Sequence, residues 1–329
     1  MTRTFIIGLQ CLILSTAVSL YAQRGGAPQA PRPDNAKSLE HIHAAKKLAA
    51  YDSFLANPNN FFCVAGNARA QNNNAPDLEP VKLFDNVYAV GNSETAVYAL
   101  TSSEGIVLLD AGFENKAELL VQQIQKLGLD PARVKYILLG HGHADHFGGS
   151  KYFQDKYGTK IATTAADWDL INAPARGGGA GGAKPARDVV LAEGQPFKFG
   201  DLTITPIEIP GHTPGSLAFI FPVKDKGQTR MAGLFGGTVL TTGILTTDAL
   251  KQYTQSIAHY LGAAKNMNVE VELQNHPIFD GMTDKLAKLK SAKASDPNPF
   301  VIGNDRYLKM WNIVSECIQA EIARREGSN

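Results

Sequence analysis

The most constraining stretch of this chain is His141-Gly142-His143-Ala144-Asp145-His146, set directly behind a continuous apolar run from Val134 to Leu139. That run is short for a helix and reads as a buried strand. Three of the chain's 8 histidines therefore leave one sheet edge together with an aspartate. His141 and His143, in an extended or turning segment, can aim two imidazoles at one ion, while Asp145 and His146 can turn toward a second ion beside it. Gly142 and Ala144 keep the intervening positions small. Such a segment needs a fold that buries the strand, leaves its exit open and brings further ligands from distant loops.

The rest of the sequence supplies that sheet. Val87–Val90, Ala96–Thr101 and Gly105–Asp110 read as strands of a meander. Ala117, Leu120, Ile124 and Leu127 form a helix stripe before the strand at 134–139, and Gly148-Gly149 leads into a helix ending at Tyr157. Strands are expected at 160–163, 202–209, 216–222, 230–235 and 269–273, with helices over 248–264 and 304–325. The last helix carries Tyr307, Trp311, Val314, Ile318 and Ile322 in a stripe that should dock on the domain. Leu39, Ile42, Leu48 and Leu55 place one helix over 36–55. Interspersed strands and helices over about 240 residues indicate a single α/β domain. Its core spans 81–295, preceded by a flexible terminus and a helix and loop extension at 23–80 and followed by the docking helix at 296–329. Gly177 to Gly182, interrupted only by Ala180, has no side chains to pack and reads as a mobile loop, a candidate lid within 174–187.

Residues 1–22 read as a secretory signal peptide. Arg3 precedes an uncharged run from Phe5 to Leu20, and Leu20-Tyr21-Ala22 ends as a cleavage site does, so the mature chain would start at Gln23. About 16 apolar residues fall short of the roughly 20 a membrane span needs. The expected location is the periplasm or the medium, with no membrane attachment after cleavage. In that compartment Cys63 and Cys317 form an even pair, and one disulfide between the two ends of the domain is expected; the alternative is two buried thiols. Lys plus Arg number 32 against 31 Asp plus Glu, a balance without the basic patch that nucleic acid requires. The oligomeric state stays open.

Two further histidines suit the site. His212 lies in Pro210-Gly211-His212-Thr213-Pro214-Gly215 after the strand at 202–209, and His276 lies in Asn275-His276-Pro277 after the strand at 269–273. Loops leaving the same end of a sheet converge. His259 falls mid-helix and reads as structural, and His41 and His43 point to different helix faces.

This order of motifs, together with Glu79-Pro80-Val81 to Gly91 and Val134-Lys135-Tyr136-Ile137-Leu138, resembles the metallo-β-lactamase superfamily, most of all the third subclass of the metallo-β-lactamases. The resemblance implies an αββα sandwich and two zinc ions per chain. His141, His143 and His212 would hold the first; Asp145, His146 and His276 would hold the second. Asp110, at a strand end, would be the carboxylate that orients ligands from behind. The chain departs from the wider superfamily at Thr238, where many members carry an acidic bridge or a thiolate, a ligand the third subclass also lacks. It departs from that subclass at Leu240, where a serine meets the substrate carboxylate; only Thr241 and Thr242 lie nearby to substitute.

The implied chemistry is hydrolysis. Two zincs sharing a water lower its pKa from about 16 towards neutrality, with Asp145 orienting it as well as ligating. Neutral imidazoles and one carboxylate leave the site positive, favouring small anionic substrates. Trp168 and Ile171 are candidate walls for the substrate, with Thr238 and Thr241. The first expectation is an exported zinc hydrolase opening cyclic amides, β-lactams and hence antibiotics among them. The second is a lactonase or thioesterase using the same zincs, and the third, of another class, a non-catalytic zinc-binding protein.

Overall fold

The computed structural model describes residues 31–64, 72–174, 183–238 and 245–327. The first sheet holds β1 (Val81–Phe84), β2 (Val87–Gly91), β3 (Ala96–Thr101), β4 (Ile106–Leu109), β5 (Val134–Leu138), β6 (Lys160–Thr163) and β7 (Val189–Val190), neighbours in that order. Pairing is antiparallel up to β4 and parallel from β4 to β7. The second sheet holds β8 (Phe197–Phe199), β9 (Leu202–Glu208), β10 (Leu217–Asp225), β11 (Gln228–Phe235) and β12 (Val269–Leu273), also in sequence order. Here only β11 and β12 are parallel.

Both sheets are covered on both faces, and β4, Ile-Val-Leu-Leu, is accordingly apolar and buried at every position. In β3, Tyr98 and Leu100 join Leu109, Leu138, Phe219 and Leu234 in the core between the sheets, whereas Val97 and Ala99 face the other way. On that outer side pack α3 (Ala117–Lys126), α5 (Ser150–Tyr157) and α6 (Ala165–Asn172), through Leu120, Ile124, Phe153 and Trp168. The second sheet is covered by α1 (Ala36–Ala49), α2 (Ser53–Phe62), α7 (Thr247–Asn266) and α9 (Asn304–Glu326), through Ile42, Phe62, Ile257 and Trp311. The architecture is the αββα sandwich. Two short helices remain: α4 (Ala144–Phe147) inside the histidine segment and α8 (Met282–Ser291) after His276.

The two sheets touch where β5 and β11 end. Leu217 N–H donates to Gly140 O at 2.8 Å. A Cβ on Gly140 would stand 2.8 Å from the Cα of Gly236, so neither glycine can carry a side chain. That contact brings the exits of β4, β5, β11 and β12 to one edge.

Several expectations are corrected. The helix read over 36–55 is two, because Ala50 adopts φ +47 and the chain turns before α2. Residues 31–35, read as part of a flexible terminus, are tied down: Arg32 Nη1 donates to Arg325 O at 2.7 Å and Asn35 Nδ2 to Ala323 O at 2.8 Å. Helices α6 and α8 and strands β7 and β8 carried too weak a pattern to be read. Cys63 and Cys317 form the expected disulfide, across 254 residues of sequence. No helix among the described residues is long and apolar enough to cross a membrane. The signal peptide at 1–22, most of the glycine loop, Leu240, Thr241 and Thr242 lie outside the described residues.

Candidate metal centre

Each histidine of the cluster is delivered by a strand exit. After β5 the chain bends through Gly140, His141 and Gly142 and reaches His143 in an extended conformation (φ −88, ψ 152) that caps α4, so His141 and His143 precede that helix. The single turn of α4 then carries Asp145 and His146. His212 comes from the β9–β10 loop, closed by Gly211 N–H donating to Thr213 O at 3.1 Å. His276 follows β12 two residues after Gln274. Asp110 ends β4 in the left-handed region at φ +63, a conformation that costs a non-glycine residue on the order of 1 kcal/mol or more and persists only when its surroundings hold it.

The surroundings of Asp110 do hold it. Its Oδ1 accepts Gly140 N–H at 2.7 Å, and its Oδ2 accepts His146 Nδ1 at 2.7 Å and Asn275 Nδ2 at 3.1 Å. Asp110 thereby stands where an orienting carboxylate was expected. Two backbone carbonyls act similarly: Gly236 O accepts His141 Nδ1 at 2.6 Å, and Glu94 O accepts His276 Nδ1 at 2.8 Å. A carbonyl or carboxylate can only accept, so all three rings carry their proton on Nδ1 and turn Nε2 inward.

Inward, nitrogen faces nitrogen. His141 Nε2 lies 3.0 Å from His212 Nε2, with His143 in the same group. His146 Nε2 lies 3.2 Å from His276 Nε2, and Asp145 Oδ2 is 3.2 Å from the first and 3.8 Å from the second. Two nitrogens on one tetrahedral zinc at 2.0–2.1 Å would stand about 3.3 Å apart. The donor set fits a metal ion: the Nε2 atoms converge at the spacing that two ligands of one ion would have.

Electrostatics of the metal-free cluster point the same way. Burial, helped by neighbouring imidazoles, pushes His141 well below the ordinary range. Burial and the charge of His146 push His276 down to about 4. His146 moves oppositely, up to about 10, because Asp145 and Asp110 outweigh its own burial. Asp145, although buried, is held well below the usual carboxylate range by His146. His146, enclosed by Asp145 and Asp110, is thus the place in the cluster where positive charge is most favoured. His141, Asp145, His146 and His276 are buried, whereas His143 and His212 are half-exposed, so solvent reaches the cluster on their side.

Three of the residues expected to wall a substrate, Trp168, Ile171 and Thr238, are buried. Trp168 is fully buried and its Nε1–H donates to Val189 O at 2.8 Å, so it belongs to the core beneath the histidine loop. Ile171 is buried beside it, and a Cβ on Gly142 would meet it at 3.2 Å. Thr238 is buried too, within 2.6 Å of Gln274 Oε1 and 2.9 Å of Phe235 O. His259 pairs with Glu193 and His41 with Glu316, both outside the cluster.

Asp167 is a residue of the site that sequence reasoning missed. Its Oδ2 accepts Gly142 N–H at 2.7 Å and Thr213 Oγ1 at 2.8 Å, and its Oδ1 accepts Gly215 N–H at 2.8 Å. One carboxylate thus ties the His141–His143 segment to the His212 loop. Burial pushes it up to about 6 against the pull of these donors. The only local signal was Thr164-Ala165-Ala166-Asp167, a helix-start pattern in which Thr164 Oγ1 accepts Asp167 N–H at 3.2 Å.

A family model described as the metallo-beta-lactamase superfamily matches residues 90–225. Hydroxyacylglutathione hydrolase of Cereibacter sphaeroides is 35% identical over 218 residues, covering 59% of this chain and 80% of that one. Among solved structures, a subclass B3 metallo-β-lactamase of Bradyrhizobium japonicum superposes with TM-score 0.65 at 28% identity, covering 77% of this chain and 97% of that one. A metallo-β-lactamase of Legionella gormanii shares the fold, with TM-score 0.61 at 23% identity over 72% and 92% of the two chains.

Proposed function

Because this chain belongs to the metallo-β-lactamase superfamily, we propose that it is an exported di-zinc hydrolase that opens a cyclic amide of the β-lactam type. His141, His143 and His212 would hold one zinc, and Asp145, His146 and His276 the other. Bound zinc supplies Lewis-acid polarisation of a carbonyl and lowers the pKa of water towards neutrality. The chain's own part is to present the donors: Gly236 O, Glu94 O and Asp110 Oδ2 take the Nδ1 protons of His141, His276 and His146, leaving each Nε2 lone pair directed inward. Asp167 keeps the two loops of the first set in register. Substrate approaches past His143 and His212, the half-exposed members. Five neutral imidazoles and one carboxylate around two dications leave net positive charge, favouring an anionic substrate. The disulfide is consistent with export, since such bonds persist outside the reducing cytosol.

The observation that carries this reading is the pair of three-donor sets. Three protein ligands leave positions for water and substrate, whereas a purely structural zinc takes four. Thr238, where other members carry an acidic bridge or a thiolate, keeps its hydroxyl in hydrogen bonds to the protein, which supports the B3-like amide chemistry. A second reading is thioester or lactone hydrolysis, favoured by the 35% identity to hydroxyacylglutathione hydrolase.

The test is a side-by-side assay of purified mature protein on a chromogenic cephalosporin, a lactone and an acylglutathione thioester, with zinc and then with chelator. Chelator-sensitive cephalosporin turnover at kcat/KM above about 10⁴ M⁻¹s⁻¹ supports the first reading. Faster thioester or lactone cleavage selects the second. Zinc binding without turnover of any of them would leave a metal-binding protein.

A further inference from the structure

At the end of β11 the chain makes the turn Gly236-Gly237-Thr238, and this turn is the floor of the first ligand set. Gly236 O receives the Nδ1–H of His141 at 2.6 Å and also Asn275 Nδ2 at 2.9 Å. Gly237 lies under His212: a Cβ there would meet the Cβ of His212 at 3.2 Å and Ser216 at 2.9 Å. Moving the turn therefore moves the ring of His141 and the seat of His212 together.

The turn is anchored by Thr238. Its one hydroxyl proton has two acceptors in reach, Gln274 Oε1 at 2.6 Å and Phe235 O at 2.9 Å, and the shorter contact is to an amide whose orientation is not free, because Gln274 Nε2 donates to Glu272 Oε1 at 2.7 Å and Gln274 O receives the Tyr98 hydroxyl at 2.7 Å. Thr238, Gln274 and Glu272 are all fully buried. Glu272 is an expensive residue to place there. Its other oxygen, Oε2, meets no hydrogen-bond donor, and the nearby Asp280 carboxylate engages Lys285 at 2.6 Å. Burial, with the charge of Asp280 adding to it, pushes the Glu272 carboxyl well above its ordinary range. A buried carboxyl with half its hydrogen-bonding capacity unmet costs stability, so the arrangement calls for a benefit elsewhere.

We propose that Glu272, Gln274 and Thr238 form a positioning chain for the first metal site, which through the 236–238 turn sets the direction of His141 Nε2 and the placement of His212. Thr238 is then neither a ligand nor a substrate wall but the link between strand β12 and the floor of the site. The inference rests on the reading of His141, His143 and His212 as the first ligand set.

Cobalt(II) titration of the full mature chain, with absorption spectra and chelator competition, tests it. Wild type is expected to show two binding steps. Thr238→Val keeps the shape and removes the hydroxyl; one step should weaken by about 10–100-fold, the usual effect of losing a group that orients a ligand, and its visible spectrum should shift. The other step should stay within about threefold, well inside that range. Thr238→Ser, which restores the hydroxyl, should return both steps and the spectrum to wild type. A folded Thr238→Val protein with wild-type affinities and spectrum overturns the proposal, and so does a Thr238→Ser protein impaired in one step, because then the hydroxyl is not what matters. Failure of the underlying reading looks different: wild type itself would bind no cobalt.

Discussion

Two buried polar regions of this molecule are built on opposite terms. Where α1 and α2 meet α9, the buried arginines have their complements: Arg324 reaches Asp34 at 2.8 Å, Glu321 at 3.2 Å and Cys63 O at 2.8 Å, and Arg325 reaches Glu321 at 3.0 Å and Leu245 O at 2.7 Å. Arg306 holds Asp52 in a two-pronged contact, both arms 2.7 Å, and the disulfide closes the same region. At the metal centre, inward-facing Nε2 atoms stand 3.0 and 3.2 Å apart, Asp110 is in the left-handed region, and the His146 ring is enclosed by two carboxylates. The clasp is complete within the protein. The centre is complete only with a cation, and strain concentrated in one place while the rest is satisfied is what marks a functional site.

The comparison breaks first at the centre. His212→Ala should lower kcat/KM on the preferred substrate by on the order of 10³-fold or more, as expected when electrostatic stabilisation is lost, while the metal-free protein keeps its circular dichroism. Zinc at about 1,000 times its Kd should stabilise wild type by about 4 kcal/mol and should leave His212→Ala far less protected in a thermal scan. Retained zinc-dependent activity in this variant would sink the ligand assignment.

At the clasp the expected loss is stability alone. Replacing Cys63 and Cys317 together by Ser should cost about 2–5 kcal/mol, or about 3–8 °C in Tm for a chain of this size, with metal affinity within twofold. A large change in metal affinity would mean that the two regions are not independent.

Asp167 joins both kinds of behaviour. Asp167→Asn should weaken metal binding by about 10-fold, since an amide cannot accept from both Gly142 and Gly215. Its pH signature is separate. A carboxyl raised to about 6 in the folded state contributes stability that is full below about pH 4 and is lost as pH rises through 6. Measured by urea unfolding without metal, wild type should therefore gain up to about 3 kcal/mol relative to Asp167→Asn between pH 7 and pH 4. A pH-independent difference would refute the raised ionisation.

The smallest effect belongs to the clasp. Arg306 holds Asp52 below its ordinary range, so the pair stabilises above about pH 4 and ceases to do so as pH falls through the depressed value. Asp52→Asn should cost under about 1 kcal/mol at pH 7, read by the same unfolding titration, and the difference should vanish in acid.

Much of this was legible in the chain itself. The 134–139 run, the motif at 141–146, and His212 and His276 at strand exits rest on local pattern; Asp110 came from the family resemblance, and the pairing of Cys63 with Cys317 from an even cysteine count in a chain expected to be exported. Trp168, Ile171 and Thr238 were read as substrate-facing because nothing in a sequence tells an apolar wall from a core; all three are buried. Asp167 and Gln274 were missed because an ordinary polar residue gains its role only from what folds against it. The break at Ala50 was missed because the apolar spacing continues through it.

Sequence alone determined which donors exist and that each group follows a strand, since strand period, turn residues and ligand type are properties of a few neighbouring positions. Tertiary structure alone decided which nitrogen of His141, His146 and His276 turns inward. That choice is made by the acceptor behind the ring, and the acceptors lie 95 residues from His141, 36 from His146 and 182 from His276. A tautomer is fixed by a hydrogen bond, and a hydrogen bond of that reach exists only after the sheets have closed on each other.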